Sequence, residues 1–497
     1  MSNNRHFDQL VANGRPVGEI IAIDRFLVKI HGLHPININS LVLFEDGSKG
    51  IVQEVTEDHV LVLHLGTSDL HIGGVAVLQH NDLVTKVGKD YIGRVVTVMG
   101  EPIDGKGPIA ADDTWPVFAE APMLYKREQL DTQLETGITL IDTLLPLVRG
   151  QRLAILGDGK TGKSTLATQL ALHQAKTDLV VIYVLIAKRR SDIDTLINLL
   201  VTNDALKTAI VVVSTMADSL VSSYLAPYVG CAFGEYLWQK CDQDVLVVYD
   251  DLSSHAQAYR EISLLANTNP GRDSYPGDIF YRHSSLLERA GKIKANHKSF
   301  TALPLVLAPS DDIAAYLPTN IMSITDGQWI LDMKTFHEKV RPAVNIGLSV
   351  TRVGGRGQNK RQKDQYQAVV QALNLYSEAE QYAHFGSEMA LNSRKDLDRG
   401  QHIYELFTQK PSETFDLVSQ QLMIDIVMGL LPEEMVDITT LKSHVSEAAK
   451  QVKTDEDFDK VRDELKKRCL LAKPAAAKTP KSADAAASTT TDQGAAK

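Results

Sequence analysis

Along residues 17–80, apolar and polar side chains alternate in short runs cut by turn residues. Phe26, Val28 and Ile30 alternate with Leu27, Lys29 and His31, and further β-rich runs cover residues 41–44, 50–55 and 60–65. Asp46-Gly47-Ser48-Lys49 and Glu57-Asp58 separate them. Short strands at this spacing predict a small antiparallel β-barrel over residues 1–80. From 81 to 360 the pattern changes to solid apolar runs at 153–156, 179–186, 210–214, 245–249, 303–307 and 347–350, alternating with helices. Strands of that kind belong to a mostly parallel sheet covered on both faces, which makes this an α/β domain. Residues 361–471 read as helical. Val369, Ala372, Leu373, Tyr376 and Ala379 recur at three-to-four spacing, and Gly429 and Pro432 mark a break. The last stretch, 472–497, is Ala, Lys, Thr, Ser and Pro with almost no large apolar residue. It predicts a disordered tail, because it buries too little surface to offset its chain entropy.

Bulk properties narrow the function without choosing it. A length of 497 residues exceeds a single core and suggests about three domains. The formal net charge of −10 argues against a broad nucleic-acid-binding surface. Cys231, Cys241 and Cys469 have no metal-ligand spacing and fit a reducing compartment. No run approaches the ~18 apolar residues of a membrane span, so a membrane role would come through partners.

The chemistry concentrates at Gly157-Asp158-Gly159-Lys160-Thr161-Gly162-Lys163-Ser164, which fits G-x-x-x-x-G-K-[ST] at every fixed position. An apolar run leads in and a helical stretch beginning at Thr165 leads out. Such a loop points backbone N–H groups at phosphate oxygens, at the positive end of a helix. Lys163 then reaches the terminal phosphates, and the Ser164 hydroxyl is placed for magnesium. A second half of the site needs a strand-end acid. The run Val245-Leu246-Val247-Val248-Tyr249 ends in Asp250, with Asp251 next. Asp250 is expected to hold magnesium through water, although a strand-end aspartate also serves as a helix N-cap. Arg352 closes another apolar run. It could stand free, pair with an acid, or point at a phosphate on a neighbouring subunit.

These residues resemble the alpha subunit of F-type ATP synthases. The resemblance rests on Val248-Tyr249-Asp250-Asp251-Leu252-Ser253, Pro276-Gly277-Asp278-Ile279-Phe280-Tyr281, Leu286-Leu287-Glu288-Arg289-Ala290 and Pro318-Thr319-Asn320-Ile321. It continues through Arg341-Pro342-Ala343-Val344-Asn345 and Gly347-Leu348-Ser349-Val350-Thr351-Arg352-Val353-Gly354-Gly355. In all it runs from about Val17 to Leu471. It implies a barrel crown, a RecA-like P-loop nucleotide domain and a helical base. It also implies an α3β3 ring with a catalytic beta subunit, a central-stalk gamma subunit and a peripheral-stalk delta subunit. The complex would lie on the cytoplasmic face of a cell or thylakoid-type membrane and couple ATP to proton or sodium movement. Within it alpha holds ATP or ADP with Mg2+ but does not turn it over, and its strand-end arginine, here Arg352, acts in trans on the beta site. Residues 157–165 hold the phosphates, adenine packing maps onto Phe336, Arg341 and Pro342, and a polar contact maps onto Gln409.

The chain also departs from that family. A catalytic beta subunit has a glutamate at the end of the strand after the phosphate-loop helix, and alpha normally has glutamine; here Lys188 stands there. Lysine cannot orient attacking water as a base at neutral pH. It could contact the γ-phosphate, pair with an acid, or sit in a solvated basic turn with Arg189 and Arg190. Gly159-Lys160 replaces the usual Arg-Gln, and Pro411 replaces a second adenine-contacting glutamine. The segment before Val17, which in the family forms a helix docking the peripheral stalk, is shorter than usual. Two other readings remain at this stage. A self-contained hexameric export or secretion ATPase would need an acid at Lys188. A ring-shaped RNA translocase would need an aromatic and basic platform that the barrel lacks.

Overall fold

Residues 2–66, 69–384, 391–431 and 434–471 are described by a computed structural model. The tail at 472–497 and the break residue Pro432 lie outside the described residues. Helix α1 (Ser2–Ala12) precedes six strands: β1 (Val17–Asp24), β2 (Leu27–His31), β3 (Leu41–Phe44), β4 (Lys49–Val55), β5 (Val60–His64) and β6 (Val75–His80). These close a barrel in the order β1-β2-β5-β4-β3-β6, with antiparallel pairs throughout. Its interior is Ile20, Val28, Ile30, Val42, Phe44, Val52 and Val62. The wall is tight at Gly50, where a Cβ would come within 2.5 Å of Val62 Cγ1.

Strict alternation fails at β3 and β5, whose residues are buried on both faces. Leu27, Leu41, Ile51, Leu61 and Leu63 point outward from the barrel into the core of the next domain. The apolar pattern does not mark α1, since that helix has little buried surface of its own. His6 reaches Gln79 of β6 at 3.3 Å.

Two small ladders flank the central sheet. One pairs β7 (Val84–Val87) with β9 (Asp113–Pro116), and the other pairs β10 (Gln133–Leu134) with β11 (Leu147–Val148). The sheet itself contains β8 (Val95–Thr97), β12 (Ala154–Gly157), β13 (Val180–Lys188), β14 (Ala209–Thr215), β15 (Val245–Asp250), β17 (Ser299–Leu307), β18 (Gly327–Leu331) and β19 (Val350–Thr351). The short β16 (Gly291–Lys292) pairs with β17 outside this path. The order is β19-β18-β12-β17-β15-β13-β14-β8, parallel except for β19, which runs antiparallel to β18.

Within β13, Val181, Tyr183 and Leu185 face one core while Ile182, Val184 and Ile186 face the other. That is why the run reads as solidly apolar. The first core takes α2 (Thr139–Leu144), α3 (Lys163–Gln174) and α4 (Arg190–Thr202). The second takes α5 (Leu220–Lys240), α6 (Leu252–Leu265), α7 (Ile279–Leu287) and α8 (Tyr316–Ile324). A short α9 (Met333–His337) follows β18. The sequence misses β18, and the expected strand at 347–350 is corrected to Val350–Thr351. Ser349 instead turns its hydroxyl onto Ile330 N at 2.9 Å.

The helical base comprises α10 (Lys360–His384), α11 (Leu391–Phe407), α12 (Leu417–Met428), α13 (Ile438–Ala449) and α14 (Asp455–Cys469). Leu422, Met423 and Phe407 continue the first core of the nucleotide domain. Asp142 of α2 joins the two parts, accepting from Thr136 N at 3.0 Å, Gly137 N at 3.0 Å and Gln420 Nε2 at 2.8 Å. Among the described residues no helix is long and apolar enough to cross a membrane.

The second core carries two buried imidazoles. His255 Nδ1 lies 3.1 Å from His283 Nε2, and His255 stacks on Tyr224 at 5.4 Å. Burial lowers both, His283 to about 4 and His255 well below its usual value, with His283 and Arg282 adding to the effect on His255. An unfolded histidine titrates near ~6.5, so between there and the folded values the unfolded chain binds more protons. Stability is therefore fully present above about 6.5 and is lost as pH falls. Thermal unfolding at pH 7 and pH 5 should show a lower midpoint at pH 5, and His283→Gln should shrink the difference. An equal difference in the variant would rule the pair out as its source.

Candidate functional site

The phosphate loop follows from where β12 stops. Gly157 ends the strand against β18, and a Cβ there would meet Leu331 O at 2.5 Å and Thr161 Oγ1 at 2.8 Å. Gly162, at φ 101, turns the chain into α3, whose free N–H groups then face the loop. Lys160 also adopts a left-handed φ of 64 and is exposed beside Gly159. Thr161 Oγ1 donates to Asp158 O at 2.9 Å, and the Asp158 carboxylate accepts from Gly159 N at 2.6 Å and Ser310 N at 3.1 Å. Lys163 Nζ donates to Gly157 O at 2.9 Å and Asp158 O at 2.7 Å. Burial lowers its pKa, against the pull of Asp251 and Asp250. A bound phosphate would offer this ammonium stronger acceptors than two carbonyls. Ser164 and Thr165 are exposed at the first turn of α3.

Across the cleft, β13 and β15 are neighbours, with Leu185 opposite Asp250. The Lys188 ammonium lies 2.7 Å from Asp250 Oδ1 and 3.0 Å from Asp251 Oδ2. Asp250 Oδ2 accepts from the Tyr183 hydroxyl at 3.2 Å. Asp251 Oδ1 caps α6 by accepting from Ser254 N at 2.7 Å, so the N-cap role falls to the second aspartate. Burial opposes the charge on Lys188, but the two carboxylates outweigh it and raise its pKa well above the usual lysine value. Its aim depends on Ala187, which adopts φ 50 where the pairing of β13 with β14 shifts register. A left-handed alanine costs about 1 kcal/mol relative to glycine. The bend turns the strand end so that Lys188 faces the acids. Arg189 pairs instead with exposed Asp192 at 3.0 Å.

A cavity of about 590 Å³ brings together Ser164, Thr165, Tyr183, Lys188 and Asp250. A smaller one of about 210 Å³ joins Thr161, Gly162 and Thr165 of the loop to Phe336, Arg341, Pro342 and Gln409. Pro411 lines both. The Arg341 guanidinium stacks on Phe336 at 3.6 Å from the ring centre and is fixed by the carbonyls of Phe336 and Val340 at 2.7 and 2.8 Å. The sequence-expected base-packing residues are thus beside the loop, although they follow it by well over a hundred positions. Gln409 lines the smaller cavity with them. Its Oε1 accepts from Thr139 N at 2.6 Å, and its Nε2 donates to Gly137 O at 3.1 Å and Glu413 O at 3.0 Å. It shapes the cavity wall and ties the helical base to the loop domain. Tyr183, which holds Asp250, escapes a sequence reading because it sits inside an apolar strand.

Arg352 lies elsewhere. Its backbone N donates to Asp326 O at 3.0 Å, and the Asp326 carboxylate is gripped by Arg152 N at 3.1 Å and Arg152 Nη2 at 2.7 Å. Arg152 precedes β12, whereas the loop follows its far end. At about 3.3 Å per residue, the distance along the strand from there to Gly157 is roughly 16 Å. The side chain of Arg352 is exposed, and its guanidinium has no ion-pair or hydrogen-bond partner among the described residues. The loop, Phe336, Arg341, Pro342, Gln409 and Asp250 share one cleft, while Arg352 is at the opposite end of the sheet.

Two families match the chain. The nucleotide-binding domain of the ATP synthase alpha/beta family matches residues 137–351, and the C-terminal domain of the ATP synthase alpha/beta chain matches residues 358–482. The ATP synthase subunit alpha of Acholeplasma laidlawii is 38% identical over 452 residues, covering 90% of each chain. ATP synthase subunit alpha 2 of Legionella pneumophila is 40% identical over 415 residues, 81% of this chain and 80% of the relative. ATP synthase subunit alpha of Dehalococcoides mccartyi is 42% identical over 397 residues, 79% of each.

Proposed function

The chain belongs to the ATP synthase alpha/beta family, among its alpha subunits, and from that premise we propose that it is the nucleotide-holding, non-catalytic alpha subunit of a rotary F-type ATP synthase. Its place is then in a hetero-oligomeric complex, alternating with catalytic beta subunits in an α3β3 ring around a gamma subunit. The delta subunit of the peripheral stalk would meet the crown, with α1 as the segment available to it. The complex, on the cytoplasmic or thylakoid-type face of its membrane, couples ATP synthesis or hydrolysis to proton or sodium movement. The isolated chain is inactive.

The observation that carries this reading is Lys188. At the strand end where hydrolysis requires an acid to orient water, the chain has an ammonium bound to Asp250 and Asp251. No other carboxylate in the described cavity stands in for it, since Asp192 is engaged by Arg189. Arg352 supports the second half of the proposal. It is exposed, unpaired among the described residues and too far from its own loop to serve it, which suits a finger offered to a neighbour.

ATP or ADP fits the cleft, with phosphates on residues 157–165 and the base against Phe336, Arg341 and Pro342. Magnesium fits less well. Ser164 is exposed at the right helix turn, but the Lys188 ammonium stands 2.7 Å from Asp250 Oδ1 and Tyr183 holds Oδ2.

Calorimetry and a phosphate-release assay on the purified chain test the proposal. We expect ATP to bind without turnover, and Lys163→Ala to weaken binding about ten- to a hundredfold, the loss of one charge-assisted contact. Steady hydrolysis by the chain alone would overturn the non-catalytic assignment.

A further inference from the structure

We propose that Lys188 takes the place of the divalent cation in this site, so that the chain binds its nucleoside di- or triphosphate free of metal. The proposal rests on the nucleotide-holding reading above and specifies the form of the ligand. Its ground is the arrangement around Asp250. A carboxylate that serves magnesium through water must offer an oxygen to a metal-bound water. Here Oδ1 is 2.7 Å from the Lys188 ammonium and Oδ2 accepts from Tyr183 at 3.2 Å. Asp250 is buried, at 3% exposure, and meets the cavity beside Lys188. Asp251 has one oxygen on Lys188 and the other on the cap of α6. Both acids of the strand end are therefore ion-paired to the same ammonium.

The ammonium is also in the right place to act as a cation toward phosphate. Lys188 lines the same cavity as Ser164 and Thr165, facing the loop from β13. Magnesium at Ser164 would have to sit beside a fixed positive charge, and a lysine does not leave as a bound water would. The left-handed backbone at Ala187 gives the strand end this direction, with Lys188 turned to the acids. Lys188 is the lysine that lines this cavity, while Lys163 stands in the loop itself, so a polyphosphate held there would meet an ammonium from either side.

The test is calorimetric titration of the full chain with ATP, once in excess magnesium and once in excess EDTA. The wild-type chain should bind in EDTA with an affinity within about threefold of that in magnesium. Lys188→Gln, which frees Asp250, should make binding depend on magnesium by about tenfold or more. Lys188→Arg, which keeps the charge, should behave like wild type. A wild-type affinity that drops about tenfold or more in EDTA overturns the proposal, whatever the variants do. So does a well-folded Lys188→Gln chain that remains indifferent to magnesium. If Lys188→Gln fails to fold by circular dichroism, the wild-type comparison and Lys188→Arg still decide. Absence of ATP binding in both conditions is a different result: it overturns the nucleotide-holding reading itself.

Discussion

Arg352→Lys is expected to cut ATP turnover of the assembled ring by about a thousandfold or more, while ATP binding by this chain stays within experimental error of wild type. The two readouts separate because the residue and the loop occupy opposite ends of one sheet. β19 runs antiparallel to β18, so the chain leaves it beside Asp326, at the level where β12 begins. The phosphate loop lies beyond the other end of β12. A guanidinium contributes a planar fork that contacts two oxygens of the transferring phosphoryl group, and an ammonium of equal charge does not reproduce it. Parallel measurement of ring turnover and of calorimetric binding to the isolated variant checks the prediction. Weakened binding with turnover preserved would remove Arg352 from the partner's site.

The second large effect concerns folding. Arg289 and Glu235 are each about 1% exposed and form a two-pronged ion pair between the end of α7 and the middle of α5. Arg289 also donates to Val117 O at 2.7 Å, and Trp115 Nε1 donates to Glu235 at 3.1 Å. Burial works against the Arg289 charge, but Glu235 and its neighbours leave its pKa raised. Replacing Arg289 alone with methionine leaves a buried carboxylate facing one indole, at a cost of about 3–5 kcal/mol. Urea unfolding followed by tryptophan fluorescence should show the loss as an earlier transition. Because an apolar pair of similar volume often matches a buried ion pair, Glu235→Leu with Arg289→Met should recover much of the loss. A single-variant loss below about 1 kcal/mol would mean that water or local rearrangement already screens the pair.

How legible each part was follows the range of the interaction behind it. The phosphate loop was readable because strand, glycines and helix are contiguous, and β12, Gly162 and α3 lie where the motif expects them. The barrel was readable from its alternation, except where β3 and β5 pack on both sides. β18 was missed because Gly327 and Gln328 leave only Trp329-Ile330-Leu331 as its apolar run. Trp329 is nonetheless fully buried, with its indole N–H on Leu145 O at 3.1 Å. Lys188 shows the limit most clearly. Sequence left it with three possible partners, and its two acids come from a strand that is distant in the chain and adjacent only after folding. The amide of Gln409 likewise has partners, Gly137 and Thr139, that belong to another domain and that the sequence does not reveal.

The reversed direction of β19 has a consequence for assembly. It puts Arg352 and the nucleotide cleft on different surfaces of the subunit. Contacts that join unlike surfaces run head to tail, and such contacts either close into a ring or continue as a filament. On the proposed reading, in which Arg352 serves a neighbouring catalytic subunit, a single antiparallel edge strand thus gives the ring a direction of circulation.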